Sequence, residues 1–315
     1  NLLVKSFRDV FGLKGRGDGE VRAKGLVRFE KGIMTRPVLD LKLKGDMYVQ
    51  TLLELLKVDV PVEGALTFSG SLAGPLAGLK GHADARLKNG NLFSVTVDDL
   101  KCRVAYEDGL LRFSEGEASL YNGKASADAT VRVIGESYFT LDIKAFDVDS
   151  SAVFGLIGWD PGIPAGKVRG EFSSSGIDFD PSGWFDYESP GRGNDVLGRV
   201  SKAKGFFIKK GPVISFYDSE AGTDKSSLAF NGDLDISKSG LSLKTVLNTS
   251  DIRDITAPYL VEAKGSGEFR GIVTGNFNDP LINGRIRIIN AYFSEYNFGR
   301  VDADVSYRKN LAEIK

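Results

Sequence analysis

The chain has 315 residues with 41 basic and 42 acidic side chains, a net charge of −1, 38 glycines and 10 prolines. That balance excludes the basic footprint of a nucleic-acid binder and a polybasic tract for an anionic membrane, and the glycine-rich composition reads as strands and turns. One cysteine, Cys102, and one histidine, His82, leave no disulfide framework, no Cys/His metal cluster and no paired general base.

In chain order, Leu2, Leu3, Phe7, Val10 and Phe11 fall at helical spacing and predict a short amphipathic helix over 1–13, before the glycine-rich turn at 15–19. The Arg16-Gly17-Asp18 tripeptide belongs to that turn. The chain opens on Asn1 and is read as a piece of a longer protein. No run of 18 apolar residues is present.

Three stretches then repeat. Leu39-x-Leu41-Lys42, Leu141-x-Ile143-Lys144 and Leu241-x-Leu243-Lys244 lie 141 − 39 = 102 and 241 − 141 = 100 residues apart. Each is followed by an Asp-led segment at Asp46, Asp147 or Asp251 and by a strand opening near Gly64, Gly166 or Gly265. After Asp46, the stripe Val49, Leu52, Leu53, Leu55, Leu56 predicts a helix ended by Pro61. Shorter equivalents follow Asp149, with Ala152, Val153, Leu156 and Ile157, and Asp251, with Ile252 and Ile255. The boundaries read as 1–45, a partial repeat with the terminal helix; 46–145, a repeat; 146–247, a repeat with an insertion at 177–198; and 248–315, a partial repeat.

Between the helices the sequence alternates with period two. Leu66 and Phe68, Ala83, Ala85 and Leu87, Leu100, Cys102, Val104 and Tyr106, Ala125, Ala127, Ala129, Val131 and Val133, and Phe139, Leu141 and Ile143 share one parity. The pattern resumes with Phe206 and Ile208, Ile214 and Phe216, Leu228 and Phe230, Leu234 and Ile236, then Ile286 and Ile288, then Val301, Ala303 and Val305. Turns are expected at Lys88-Asn89-Gly90, Glu107-Asp108-Gly109, Tyr121-Asn122-Gly123 and Lys238-Ser239-Gly240, giving an antiparallel meander of about five strands per repeat. Residues 177–198, with Trp184, Phe185 and Tyr187, lack alternation and read as a long loop.

A sheet with one continuous apolar face must cover it with a second sheet, cover it with a layer of helices, or close into a barrel, and a strongly curved meander folds that face around itself. One short helix per repeat is too little, so a filled sandwich and an open trough remain. The small residues Ala83, Ala85, Ala125, Ala127, Ala129 and Ala303 favour the trough, and an acyl chain is its natural occupant, at about 0.8 kcal/mol per buried CH₂. The candidate groove lining is Leu66, Phe68, Ala83, Ala85, Leu87, Leu100, Cys102, Val104, Tyr106, Ala125, Ala127, Ala129, Val131, Phe139, Leu141, Ile143, Ile214, Phe216, Leu228, Phe230, Ile286, Ile288, Val301 and Val305. Cys102 reads as a small buried hydrophobe and His82 as an exposed polar residue. The Asp pairs 147/149, 178/180, 233/235 and 302/304 share the wet face of a strand. No catalytic residue, metal or cofactor is assigned, and the reading is of a non-enzymatic protein.

The stretch from Gly64 to Gly90, and the pattern Gly-x-Phe-x-x-Pro-x-x-x-Gly-x-Ile-x-Ile-x-Asn-Ala over 275–291, resemble the strand pairs of the AsmA-like superfamily across most of residues 36–315. The Asp-led helix resembles that family's element between repeats. The resemblance implies a mostly β fold, an elongated antiparallel β-groove (a β-taco) of about 100-residue repeats with one short helix each. It further implies a periplasmic protein of a diderm bacterium, held in the inner membrane by an N-terminal anchor, with phospholipids as cargo and no nucleic acid. Its implied role is moving phospholipid to the outer membrane; the alternative is scaffolding outer-membrane protein assembly by β-augmentation with an Omp85-type barrel partner.

Overall fold

The computed structural model describes residues 2–3, 19–29, 37–51, 62–75, 78–92, 95–132, 134–136, 138–156, 162–191, 196–256, 262–277, 279–308 and 311–315. The chain divides into two compact units, residues 1–148 with 173–179, and residues 149–172 with 180–315. Mostly β structure in antiparallel, strand-after-strand order builds both, as the alternation predicts.

The first unit carries β1 (Leu2–Leu3), β2 (Glu20–Phe29), β3 (Pro37–Tyr48), β4 (Val62–Pro75), β5 (Lys80–Leu92), β6 (Val95–Glu107), β7 (Leu110–Leu120), β8 (Gly123–Arg132) and β9 (Tyr138–Asp149), whose last residue belongs to the second unit. Each pairs antiparallel with its chain neighbour. Next comes α1 (Ser150–Leu156), then β10 (Lys167–Gly176), of which residues 167–172 lie in the second unit. The second unit continues with β11 (Ser182–Glu188), β12 (Lys202–Lys210), β13 (Val213–Gly222), β14 (Ser226–Asp235), β15 (Gly240–Thr249), α2 (Arg253–Thr256), β16 (Ala263–Asn276), β17 (Asp279–Phe293), β18 (Tyr296–Arg308) and β19 (Leu311–Ile314). From β11 to β19 the ladders are again antiparallel between neighbours.

The repeat is visible in backbone geometry. β3, β9 and β15 each carry one of the Leu/Ile-Lys anchors and each run into helix, at residues 49–51, α1 and α2. At all three places the helix start is tied to the glycine that opens the next strand. Gly64 N–H donates to Gln50 Oε1 at 3.4 Å and Gly166 N–H to Ser150 Oγ at 2.9 Å, while Ile252 N–H donates to the Gly265 carbonyl at 2.8 Å. Left-handed backbone recurs at matching places: Gly74, Gly176 and Gly275 (φ 107°, 127° and 99°), and Glu115 and Asp218 (φ 53° and 45°). The amides of Glu115 and Asp218 are each capped from the next strand, by Asp128 at 3.1 Å and Asn231 at 2.7 Å. These two residues occupy β-bulges, which add twist and bend the sheet towards one face.

Several sequence expectations are corrected. Leu2–Leu3 pair with Val21 and Glu20 as a strand, so cross-strand pairing there overrides the helical spacing; the remainder of 1–18 lies outside the described residues. Asp46 is still in β3, and helix begins at Val49; Leu52, Leu53, Leu55, Leu56 and Pro61 lie outside the described residues, as do Val133, Ile157, Pro161 and Pro258. Lys88-Asn89-Gly90 is no hairpin turn: Asn89 (φ 46°) and Gly64 (φ 133°) form a bulge inside the β4–β5 ladder, repeated by Asn290 (φ 53°) and Gly265 (φ 131°). The segment 177–198 contains a regular strand, β11, whose residues 182–188 pair in unbroken register with β12. What is much longer than in the other repeats is the connection between β11 and β12. Six strands, β4–β9, lie between the Gly64 and Gly166 markers and six, β10–β15, between Gly166 and Gly265, and not five; the bulge in β7 hides one strand of the first set and the adjacent aromatics of β11 one of the second.

The helix α2 is held by ions. Asp251 accepts from Arg253 at 2.7 and 2.9 Å and from Lys225 at 3.0 Å, and Asp254 accepts from Ser226 Oγ at 2.6 Å and from Thr223. The Arg253 guanidinium, then Lys225, hold the Asp251 carboxyl well below the usual carboxylate range. A carboxylate lowered in this way stabilises the fold fully above its unfolded value of about 3.9, and that contribution fades as pH falls towards the folded value. Hydrogen exchange at residues 252–256 is expected to accelerate below about pH 4, and Asp251→Asn to give the fast pattern already at neutral pH; equal protection in variant and wild type would contradict this.

Candidate functional site: the apolar face

Cross-strand partners share a face, so the registers sort every strand residue. In the first unit four rows of apolar or glycine residues cross the ladder. The first runs Met47, Leu66, Leu87, Leu100, Ala118, Ala125, Ala145. A second runs Gly45, Phe68, Ala85, Cys102 and, past the β7 bulge, Gly116, Ala127, Ile143. Next to it lie Leu43, Gly70, Ala83, Val104, Phe113, Ala129, Leu141. Leu41, Leu72, Gly81, Tyr106, Leu111, Val131 and Phe139 complete the face. Rows are about 6.8 Å apart, two residues along a strand, and the six strands β4–β9 span about 24 Å at 4.8 Å per gap.

The second unit repeats the layout. Its rows are Tyr187, Ala203, Ala221, Leu228, Leu247, Phe269, Ile286, Ala303; then Ser219, Phe230, Thr245, Gly271, Gly284, Val305; then Phe207, Phe216, Gly232, Leu243, Val273, Ile282, Tyr307. Flanking rows hold Ser226, Thr249, Gly267, Ile288, Val301 on one side and Lys209, Ile214, Leu234, Leu241 on the other.

All 24 residues named from the sequence thus lie on the apolar face of their unit. Of these only Leu87 and Ile214 are buried; the other 22 are half-buried. A second layer packed against this face would bury nearly all of them, as interiors are close-packed. Within each unit no described element therefore covers the apolar face, and its described residues stand open to solvent. The opposite face is charged and laced by cross-strand ion pairs, among them Arg86 with Asp99 (2.6 and 2.7 Å), Arg103 with Glu115 (2.5 Å), Lys80 with Glu107, and Arg285 with Asp302 (2.6 Å). His82 lies there too, beside the Ser71 hydroxyl at 3.2 Å, and Asp302 of the 302/304 pair is held by arginine. Among the described residues no group of three or more His, Cys, Asp or Glu is placed to hold a metal.

Two readings of parity were wrong. Phe206 and Ile208 point to the charged face, 55% and 39% exposed, and Phe207 between them takes the apolar side. Trp184, directly across from Phe206, is on the charged face as well, whereas Phe185 and Tyr187 are not loop residues but strand residues on the apolar and buried positions of β11. Tyr187 is 2% exposed and its hydroxyl donates to the Pro164 carbonyl at 2.5 Å. Phe206, Phe207 and Ile208 put large apolar side chains on both faces of β12, so the local pattern does not choose between them; the available signal is Ala203 and Gly205, which share Phe207's side.

Cys102 sits mid-face in its row, and burial pushes its thiol pKa up. No described helix is long and apolar enough to cross a membrane. Comparison with protein-family models, with curated proteins and with solved structures returned no match.

Proposed function

We propose that this chain is part of a bridge-like lipid transfer protein of the cell envelope, in which phospholipid acyl chains lie on the apolar face while head groups remain in water. The observation that carries this reading is the open face itself: four apolar rows in the first unit, with alanine and glycine concentrated in the middle two, and three rows with two mixed flanking rows in the second, nearly all half-buried. Removing ten methylenes from water on such a floor is worth roughly 8 kcal/mol, enough to hold a chain without chemistry. The sequence resemblance to AsmA-like proteins such as TamB supports this reading, and the setting we propose with it is the periplasm of a diderm bacterium, with transport from inner to outer membrane.

Cys102 gives a direct test, because it is the chain's one cysteine and lies on the proposed floor. A raised thiol pKa means little thiolate at neutral pH, so alkylation of the empty protein by maleimide is expected to be slow and to quicken as pH rises. Phospholipid at ten times its Kd is expected to slow it by a further factor of about ten. Ala105→Cys in a Cys102→Ser background, on the exposed charged face, should react quickly and ignore lipid. Lipid that leaves the Cys102 rate unchanged would count against the proposal.

A further inference from the structure

The floor is not the same in the two units. In β5–β8 the two middle rows offer Ala83, Val104, Phe113 and Ala129, then Ala85, Cys102, Gly116 and Ala127. Matched strand by strand through the register, β11–β14 offer Gly183, Phe207, Phe216 and Gly232, then Phe185, Gly205, Ser219 and Phe230. One phenylalanine in eight becomes four in eight, and three of the four, Phe185, Phe207 and Phe216, face a glycine across the ladder. The rings interlock. Phe185 lies 6.4 Å from Phe207 and 6.1 Å from Phe216, Phe216 lies 5.6 Å from Phe230, and Phe172 of β10 adds a fifth ring 5.6 Å from Phe207. Tilted and edge-on contacts of this kind fix the rings against one another.

Across β5 and β6 of the first unit the middle rows carry Ala83, Ala85, Cys102 and Val104, smaller than Leu87 and Leu100 on one side and Tyr106 on the other, so the floor is lower there than at its edges. Outer row to outer row is about 20 Å, three steps of 6.8 Å, wide enough for two acyl chains side by side. Five interlocked rings occupy the corresponding space in β10–β14. Packing is not what demands them: all five are half-buried, so their exposed parts form the surface a chain would meet.

We propose that the Phe172, Phe207, Phe185, Phe216, Phe230 ladder is a threshold for lipid, a shallow rigid floor that takes one acyl chain where the alanine floor of the first unit takes two. This rests on the lipid-binding reading above. It makes the ladder a specificity element that discriminates by the number and thickness of chains, and not by head group.

The test places a photoreactive residue singly at Leu100 and Ala125 in the first unit, and at the matched Ala203 and Leu228 in the second. The protein is exposed to vesicles of dipalmitoyl phosphatidylethanolamine or to its single-chain lyso form. The proposal predicts adducts with both lipids at Leu100 and Ala125, but at Ala203 and Leu228 a yield of the two-chain lipid at least fivefold below that of the lyso form. Phe207→Ala with Phe216→Ala should raise the two-chain yield at Leu228 to that at Ala125. Equal two-chain yields at both floors of the wild type would overturn the threshold and leave lipid binding standing; so would a folded double variant, with its far-UV spectrum unchanged, that gains nothing. No adduct at any of the four positions would overturn both. Should the double variant fail to fold, the wild-type comparison decides alone.

Discussion

Val104→Asp is expected to abolish lipid capture while leaving the protein folded. Val104 sits mid-row between Ala83 and Phe113, half-buried on an open face. In the lipid-free protein a carboxylate there stays hydrated, so the stability change should remain within about 1 kcal/mol, as for substitutions away from a packed core. An acyl chain laid across the row would strip that water, and an unpaired charge taken out of water costs several kcal/mol. A penalty of about 3 kcal/mol reduces affinity by roughly a hundredfold. Lipid binding to wild type and variant, measured beside their thermal unfolding, separates an open floor from a filled core. A filled core would give the reverse pattern, a loss of 3–5 kcal/mol in stability from an uncompensated buried charge.

Gly232→Ala is expected to have the largest effect on stability. Gly232 has φ 139°, in a region side-chain-bearing residues rarely adopt, and a Cβ built there collides with the carbonyl oxygen of Ser242 on the neighbouring strand. It also lies between Phe216 and Leu243 in its row. Backbone strain of about 1–3 kcal/mol, together with a displaced ladder, predicts a loss of about 3 kcal/mol. For a unit of this size that lowers the melting temperature by roughly 6–12 °C. An unchanged melting temperature would mean that the β14–β15 ladder yields more easily than its ten-pair register implies.

The array was legible in the sequence because its markers are local. Leu-x-Leu-Lys repeats, a helix after each, and a glycine opening each following strand all survive in a linear pattern, and parity alone grouped 24 residues that the registers place on one face of their unit. Elements that depend on register were not legible. β7 was lost to its bulge between Phe113 and Gly116, which shifts the parity within one strand. β11 was hidden because Trp184, Phe185 and Tyr187 are large on both faces, so no period appears, although Tyr187 is among the most buried of the described residues. The same cause inverted Phe206 and Phe207. The aromatic ladder escapes any linear reading, since Phe172, Phe185, Phe207, Phe216 and Phe230 come from five strands and meet only through pairing. Leu2–Leu3, at helical spacing with Phe7, became a strand because Val21 and Glu20 offered an edge to pair with.

The central claim is that one face of the sheet holds acyl chains, and β6 tests it most directly because its seven residues from Leu100 to Tyr106 alternate cleanly between half-buried and exposed. A photoreactive residue would be placed at each of these positions in turn, in cells, and the adducts identified. The account predicts phospholipid adducts at Leu100, Cys102, Val104 and Tyr106, and none at Lys101, Arg103 and Ala105. Adducts without parity, or peptide captured in place of lipid, would contradict it, and the peptide result would favour a scaffold that pairs its strands with those of nascent outer-membrane proteins.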